Sequence, residues 1–153
     1  MKGRTVADED GAQRARRVLE ASRTIAVVGA SRDPRKAAHR IPADLAAAGY
    51  RVLPVSPAAY RDDPGARLFG QPVVAALADL SEPIDLVNVF RPPRDCPQVA
   101  RAAVAVGAKA LWLQLGITSP EAAAIAREGG LDYVEDRCTG ADRRRWGSTP
   151  ASG

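Results

Sequence analysis

Five short apolar runs, each followed by a helix-like stretch, constrain this chain more than any other feature. "TIAVVG" (24–29), "RVLPVS" (51–56), "DLVNVF" (85–90), "KALWLQ" (109–114) and "DYVED" (132–136) are strand candidates. The segments between them, "RIPADLAAAG", "PVVAALADL", "DCPQVARAAVAVG" and "SPEAAAIAREGG", read as helices. Strands alternating with helices are joined by right-handed crossovers, so the sheet is expected to be parallel. The strands are apolar nearly throughout, as they are when helices cover both faces of a sheet. The expected fold class is therefore α/β: a doubly wound, Rossmann-like, five-stranded parallel sheet with helices on both faces. Gly49, Gly107 and Gly129 fall where helices end, the usual place for a left-handed cap. Pro42 is expected in the first turn of its helix, where a missing N–H does no harm.

This pattern sets the domain organisation. Residues 1–22 read as an N-terminal extension carrying one helix, Gly11 to Ser22, with Ala15, Val18 and Leu19 on its buried side. Residues 23–138 form the domain. After Cys138 the apolar pattern stops, and 139–153, with "ADRRRWGSTPASG", reads as a flexible tail. A length of 153 residues suits one domain with a proper core. No run approaches eighteen consecutive apolar residues, so no membrane span is expected, and the N-terminus lacks the apolar stretch of a secretory signal. Cys96 and Cys138 lie far apart, as suits a cytoplasmic chain with reduced thiols. The net charge of +4 suits a polyanionic ligand, large or small, without choosing between them.

In an open α/β sheet the ligand lies beyond the carboxyl ends of the strands. Five loops begin there: "GASRDPRK" (29–36), "SPAAY" (56–60), "RPPRD" (91–95), "LGITS" (115–119) and "RCTG" (137–140). All carry unusual residues, whereas the loops of the opposite edge look like plain glycine turns. The first loop offers helix N-terminal N–H groups, the Ser31 hydroxyl, and Arg32, Arg35 and Lys36 for phosphate oxygens. A tight turn with an N-cap serine would look the same. A dinucleotide site would need further glycines after Gly29 and a carboxylate at the end of the second strand. The chain has Ser31 and Pro34, then "PVSPAAYR" with no acid before Asp62. Catalytic constellations are thin. His39 is the sole histidine and reads as a surface or cap residue, Asp85 as solvent-facing, and Trp112 as core. Trp146 reads as part of the tail, and Asp136 draws interest as a strand-end acid.

Taken together, "VVGAS", "GYRVLPVSP", "VNVFRPP", "LWLQLGI" and "DRC" resemble, in order and spacing, the stand-alone CoA-binding domain family. That family is similar to the N-terminal domain of the succinyl-CoA synthetase alpha subunit. The resemblance runs from about Arg23 to Cys138. It implies coenzyme A, free or acylated, along the carboxyl edge of the sheet. By position, Gly29, Ala30 and Ser31 would face the diphosphate, with Arg32, Arg35 and Lys36 supplying charge for the phosphates. Ser56 and Pro57 would border the nucleotide, and Phe90, Arg91 and Pro92 would form a wall. Gln114, Leu115 and Gly116 would line the pantetheine path, with Cys138 near its thiol end. The ligase chemistry of the synthetase uses a histidine of a second domain, so no catalysis is expected here. CoA also explains the missing acidic clamp, because its ribose bears a phosphate that a carboxylate would repel.

Two readings of other classes stand beside this one. A Rossmann-type NAD(P)-dependent enzyme would need the absent clamp or an arginine in its place. A nucleic-acid-binding protein would use "RRRW" (143–146) and the basic first loop, yet aromatics are only 5% and no nucleic-acid motif is present. Monomer and homodimer are left open, as is any protein partner.

Overall fold

The computed structural model describes residues 9–152. In chain order the elements are α1 (Gly11–Ala21), β1 (Thr24–Val28), α2 (Ala37–Ala47), β2 (Arg51–Val55), α3 (Pro57–Asp62), β3 (Arg67–Leu68), β4 (Gln71–Pro72), β5 (Leu86–Val89), α4 (Cys96–Ala105), β6 (Ala110–Leu113), α5 (Pro120–Glu128), β7 (Asp132–Val134) and α6 (Thr139–Trp146). The main sheet has the order β2-β1-β5-β6-β7, and every pair in it is parallel. All five expected strands are present, each ending one or two residues sooner than its apolar run.

Alternation along the strands divides the core in two. Ala26, Val28, Val87, Val89, Leu111 and Leu113 face α4 and α5, whose buried positions are largely alanines. Ile25, Val27, Leu86, Ala110 and Trp112 face α1, α2 and α6. Burial on both faces is why the strands read as continuous apolar runs. Helix α1 starts at a capping box, in which the Gln13 N–H donates to the Asp10 side chain at 2.7 Å and the Asp10 N–H donates to Gln13 Oε1 at 3.0 Å. Its buried face is Ala15, Val18 and Leu19, as expected.

Four local expectations need correction. Pro42 lies in the interior of α2, not its first turn, because the helix begins at Ala37. An interior proline removes the N–H that would reach the carbonyl four residues back. The Ala38 carbonyl instead accepts the N–H of Ser31 at 3.1 Å, so the proline ties the β1–α2 loop to its helix. Residues 72–80 are not an α-helix. Val74 runs beside β2 in a parallel bridge to Val55, and a single 3₁₀ turn follows at Leu77–Asp79. The Val74 N–H donates to the Pro54 carbonyl and its own carbonyl accepts from Ser56, which covers part of the sheet's open edge. The left-handed residue after α5 is Gly130 (φ 80°), not Gly129. Gly129 is glycine for space: a Cβ there would stand 2.5 Å from Val104 Cγ2.

The fourth correction concerns the end of the chain. Residues 139–146 form α6, which packs on α1 and α2. Thr139, Gly140 and Asp142 are buried, and Arg137 donates to Asp142 at 2.7 and 2.9 Å. Trp146 is half-buried against the core, with the Arg137 guanidinium 5.8 Å from its ring centre. Beyond the helix, the Ala151 N–H donates to the Ser22 carbonyl at 2.9 Å. What this segment buries is mostly polar, so it carries no apolar period for a sequence reading to detect.

Candidate functional site

The strand order places the topological switch between β1 and β5: the chain leaves β1 toward β2 on one side and continues from β5 to β6 on the other. Their loops diverge above this point, and Gly29 is where they meet. Its φ is 90°, its N–H donates to the Val55 carbonyl at 2.9 Å, and a Cβ there would stand 2.7 Å from the Phe90 carbonyl oxygen and 2.9 Å from Arg91 Cδ. Only glycine supplies both the conformation and the space. Ala30 is buried against the same cluster as Phe90 and Ile41.

Beyond Gly29 the loop is held by its own bonds. Ser31 gives its N–H to Ala38, its Oγ accepts the Asp33 N–H at 3.0 Å, and its carbonyl accepts from His39 Nδ1 at 2.8 Å. The part of Ser31 left for a ligand is therefore its hydroxyl proton, not its amide. The cations differ in freedom. Arg35 holds Asp33 through two bonds of 3.0 and 3.1 Å, and this guanidinium keeps the Asp33 carboxyl below its ordinary range. Arg32 stands 3.8 Å from Asp63, and Arg91 is paired with Asp95 at 2.7 Å. Lys36, the N-cap residue of α2, forms no ion pair among the described residues. The His39 and Arg40 amides donate to its carbonyl at 3.0 Å, which leaves those of Ala37 and Ala38 as the unpaired first amides of the helix among the described residues.

Ser56 and Pro57 stand at the end of β2, where Ser56 Oγ accepts the Ala59 N–H and caps α3. The end of β2 itself carries no acidic residue, and the next acids in the chain, Asp62 and Asp63, lie at the far end of α3. Pro92 leads into a 3₁₀ turn, and its carbonyl lies 3.5 Å from Sγ of the buried Cys96, whose thiol is pushed up chiefly by burial. Across the switch, the ends of β5 and β6 carry a buried polar network. Gln114 Oε1 accepts from Asn88 Nδ2 at 3.2 Å and from the Thr139 N–H at 3.5 Å, while Thr139 Oγ1 donates to Asn88 Oδ1 at 3.1 Å. Gln114 is 4% exposed and its Nε2 has no partner among the described residues. Leu115 is 66% exposed, and Gly116 (φ 84°) donates its N–H to Asp136 at 2.7 Å. Cys138 is half-buried at the start of α6, its Sγ accepting the Ala141 N–H at 3.4 Å.

The sequence-derived residues thus gather along one edge, at the loops after β1, β2, β5, β6 and β7. One neighbour, Phe69, escaped the sequence reading, whereas Asp136 is already singled out there as a strand-end acid. Phe69 adopts φ 56° at the tip of the β3–β4 hairpin, and its ring centre lies 5.4 Å from that of His39. Asp136 also has a left-handed backbone (φ 54°) while it holds Gly116. Non-glycine residues rarely occupy that region, and such strain gathers at sites. A hollow of about 380 Å³ lies away from the switch, between Arg14, Pro120, Ala123, Arg127 and Tyr133. The "RRRW" run lies on α6, where Arg143 donates to the Ser148 carbonyl and Arg144 stands 3.7 Å from Asp44. Among the described residues no His, Cys, Asp or Glu cluster could hold a metal ion, and no helix is long and apolar enough to cross a membrane.

Coenzyme A has an anionic nucleotide end and a neutral arm of amides ending in a thiol. The edge offers a basic loop at one end and, at the other, an unused buried amide donor, an exposed leucine and a thiol. The groups fit.

The chain is similar to several known proteins. The chain is 34% identical over 121 residues to the uncharacterized protein YneT of Bacillus subtilis, covering 79% of this chain and 85% of that one. The solved structure of cell-free ID.343 from Thermus thermophilus matches with 41% identity and a TM-score of 0.80, over 89% of this chain and 98% of that one. The dinucleotide-forming acetyl-coenzyme A synthetase 1 of Ca. Korarchaeum cryptofilum shares the fold at 22% identity and a TM-score of 0.62, over 75% of this chain and 26% of its own. The model of the CoA binding domain matches residues 23–144, and the chain belongs to that family.

Proposed function

We propose that this protein binds coenzyme A, free or acylated, across the carboxyl edge of its sheet and adds no catalysis of its own. The observation that carries the reading is the chemical asymmetry of that edge. The phosphates lie over Gly29, the Ser31 hydroxyl and the start of α2, with Lys36 as a cation that forms no ion pair among the described residues. Arg32, Arg35 and Arg91 reach the ligand only by leaving or sharing their carboxylates. The adenosine end borders Ser56 and Pro57. The pantetheine arm runs past Phe90 and along Gln114, Leu115 and Gly116, where Gln114 Nε2 meets an amide carbonyl that satisfies it.

Thermal unfolding of the protein with CoA, dephospho-CoA, NAD and NADP tests this. CoA at a hundred times its Kd adds about 2.7 kcal/mol to stability, a rise of several degrees in Tm. Dephospho-CoA raises it less, and the dinucleotides leave it unchanged. A rise with NAD or NADP and none with CoA overturns the reading.

A further inference from the structure

We infer that Cys138 is a site of covalent modification by the ligand's own thiol: it takes up CoA as a mixed disulfide by exchange with the disulfide of CoA. The inference rests on the binding reading above and adds a reaction to it. Three structural observations support it. First, Cys138 opens α6 over the ends of β5 and β6, since the next residue, Thr139, bonds to Asn88 of β5 and to Gln114 just beyond β6. Gly140 lies against Ile41 of α2: a Cβ there would be 3.4 Å from the Ile41 side chain. The cysteine therefore stands between the β5–β6 edge and the helix that follows the basic loop. Second, its Sγ accepts the Ala141 N–H at 3.4 Å, and the residue is only half-buried. Third, the Gln114 amide rests on the Cys138–Thr139 peptide with its Nε2 unsatisfied although the residue is 4% exposed. A buried donor without an acceptor among the described residues is a group that a ligand carbonyl can satisfy. The other thiol, Cys96, is fully buried with its Sγ turned to the Pro92 carbonyl, and serves as an internal control.

The step is a thiol–disulfide exchange. Cys138 gives up its proton to solvent, and Sγ attacks one sulfur of the CoA disulfide. The S–S bond of that disulfide breaks as the Cys138–CoA bond forms. The second CoA leaves as a thiolate and takes up a proton. No electrons are gained or lost overall, and a reducing thiol reverses the step.

Intact mass and peptide mapping test this on the full chain incubated with CoA disulfide or oxidised glutathione. The expected adduct is one CoA less two hydrogens, on Cys138 alone, removed by dithiothreitol. Because the ligand is bound before it reacts, exchange with CoA disulfide is about tenfold or more faster than with oxidised glutathione at equal concentration. Free dephospho-CoA slows it less than free CoA does. Cys138→Ser gives no adduct. Equal rates for the two disulfides, or an adduct on Cys96, overturn the inference, as does CoA raising the Tm of a wild-type chain that stays unmodified. Failure of CoA to raise the Tm at all overturns the binding reading instead.

Discussion

At the amino edge of the sheet, charged groups are closed on each other. Arg17 grips Asp132 at 2.8 and 3.0 Å and Glu9 at 2.7 and 2.8 Å. Arg51 grips Glu82, and Asp85 accepts the N–H groups of Arg23 and Thr24 at 2.9 and 3.0 Å with Lys109 at 3.4 Å. The buried Tyr50 donates to the Leu19 carbonyl, and burial pushes its hydroxyl up to about 12. At the carboxyl edge Arg35–Asp33 and Arg91–Asp95 are paired too, but among the described residues Lys36 has no ion pair, Gln114 Nε2 has no acceptor, Leu115 is exposed and Asp136 holds a strained backbone. The amino edge uses its polar side chains to hold the strands in place; the carboxyl edge leaves a few of its own uncommitted. The same sheet thus separates stability from recognition by end, so substitutions at the two ends should separate in the same way.

Gly29 is the position where that separation fails, and it gives the largest effect. Gly29→Ala places a methyl within contact of the Phe90 carbonyl and Arg91 while demanding a left-handed backbone from alanine. The strain and the displaced backbone cost about 3 kcal/mol, and the two loops are pushed apart. Urea unfolding should show the loss, and calorimetric titration should show CoA affinity reduced about tenfold or more, because the phosphate turn has moved. A variant that keeps wild-type affinity would remove Gly29 from the site.

Asp85→Ala tests the amino edge alone. Two backbone N–H groups at the start of β1 lose their acceptor, which costs about 2 kcal/mol. CoA affinity should be unchanged, since Asp85 is separated from the switch by the length of β5. An equal loss of both would show that the two edges are coupled through the strands.

How much of this contrast the sequence revealed depends on what kind of residue carried it. The strands were legible because burial on both faces leaves an apolar run, and Gly29 was legible because a glycine directly after such a run implies a tight turn. The basic loop and "W-x-Q-x-G" around Gln114 could be placed on one edge by topology alone. Three things could not be read. Val73 and Val74 looked helical in a short apolar run, and only their place beside β2 makes them extended. Helix α6 buries Thr139 and Asp142, so apolar periodicity is blind to it. The amino-edge loops looked like plain glycine turns, because pairs such as Arg17–Asp132, 115 residues apart in the chain, become visible only once the fold brings them together. Phe69 is a similar case: a phenylalanine in a left-handed turn carries no sequence signal, and its contact with His39 is tertiary.

The smallest effect is a pH dependence that belongs to the amino edge. The Arg17 guanidinium holds the Asp132 and Glu9 carboxyls below their ordinary values, and Arg51 does the same for Glu82. At Asp85 burial alone would push the carboxyl up, but the N–H groups of Thr24 and Arg23 and the Lys109 ammonium bring it down. A carboxyl whose pKa is lower folded than unfolded contributes stability above its unfolded value, near 4, and loses it as pH falls through the folded value. Urea midpoints should therefore hold steady down to about pH 5 and decline toward about pH 3. Arg17→Met removes the cause of two of these shifts, so its curve starts lower and declines less steeply over that range. The exposed Arg35–Asp33 pair of the carboxyl edge offers the matched control, because Asp33 is also held low by its arginine. With Arg35 90% exposed, solvent screens that pair, and Arg35→Met should leave both the midpoint and its pH dependence within error of wild type. If Arg35→Met instead flattened the curve as much as Arg17→Met, the carboxyl edge would be bearing structural load after all.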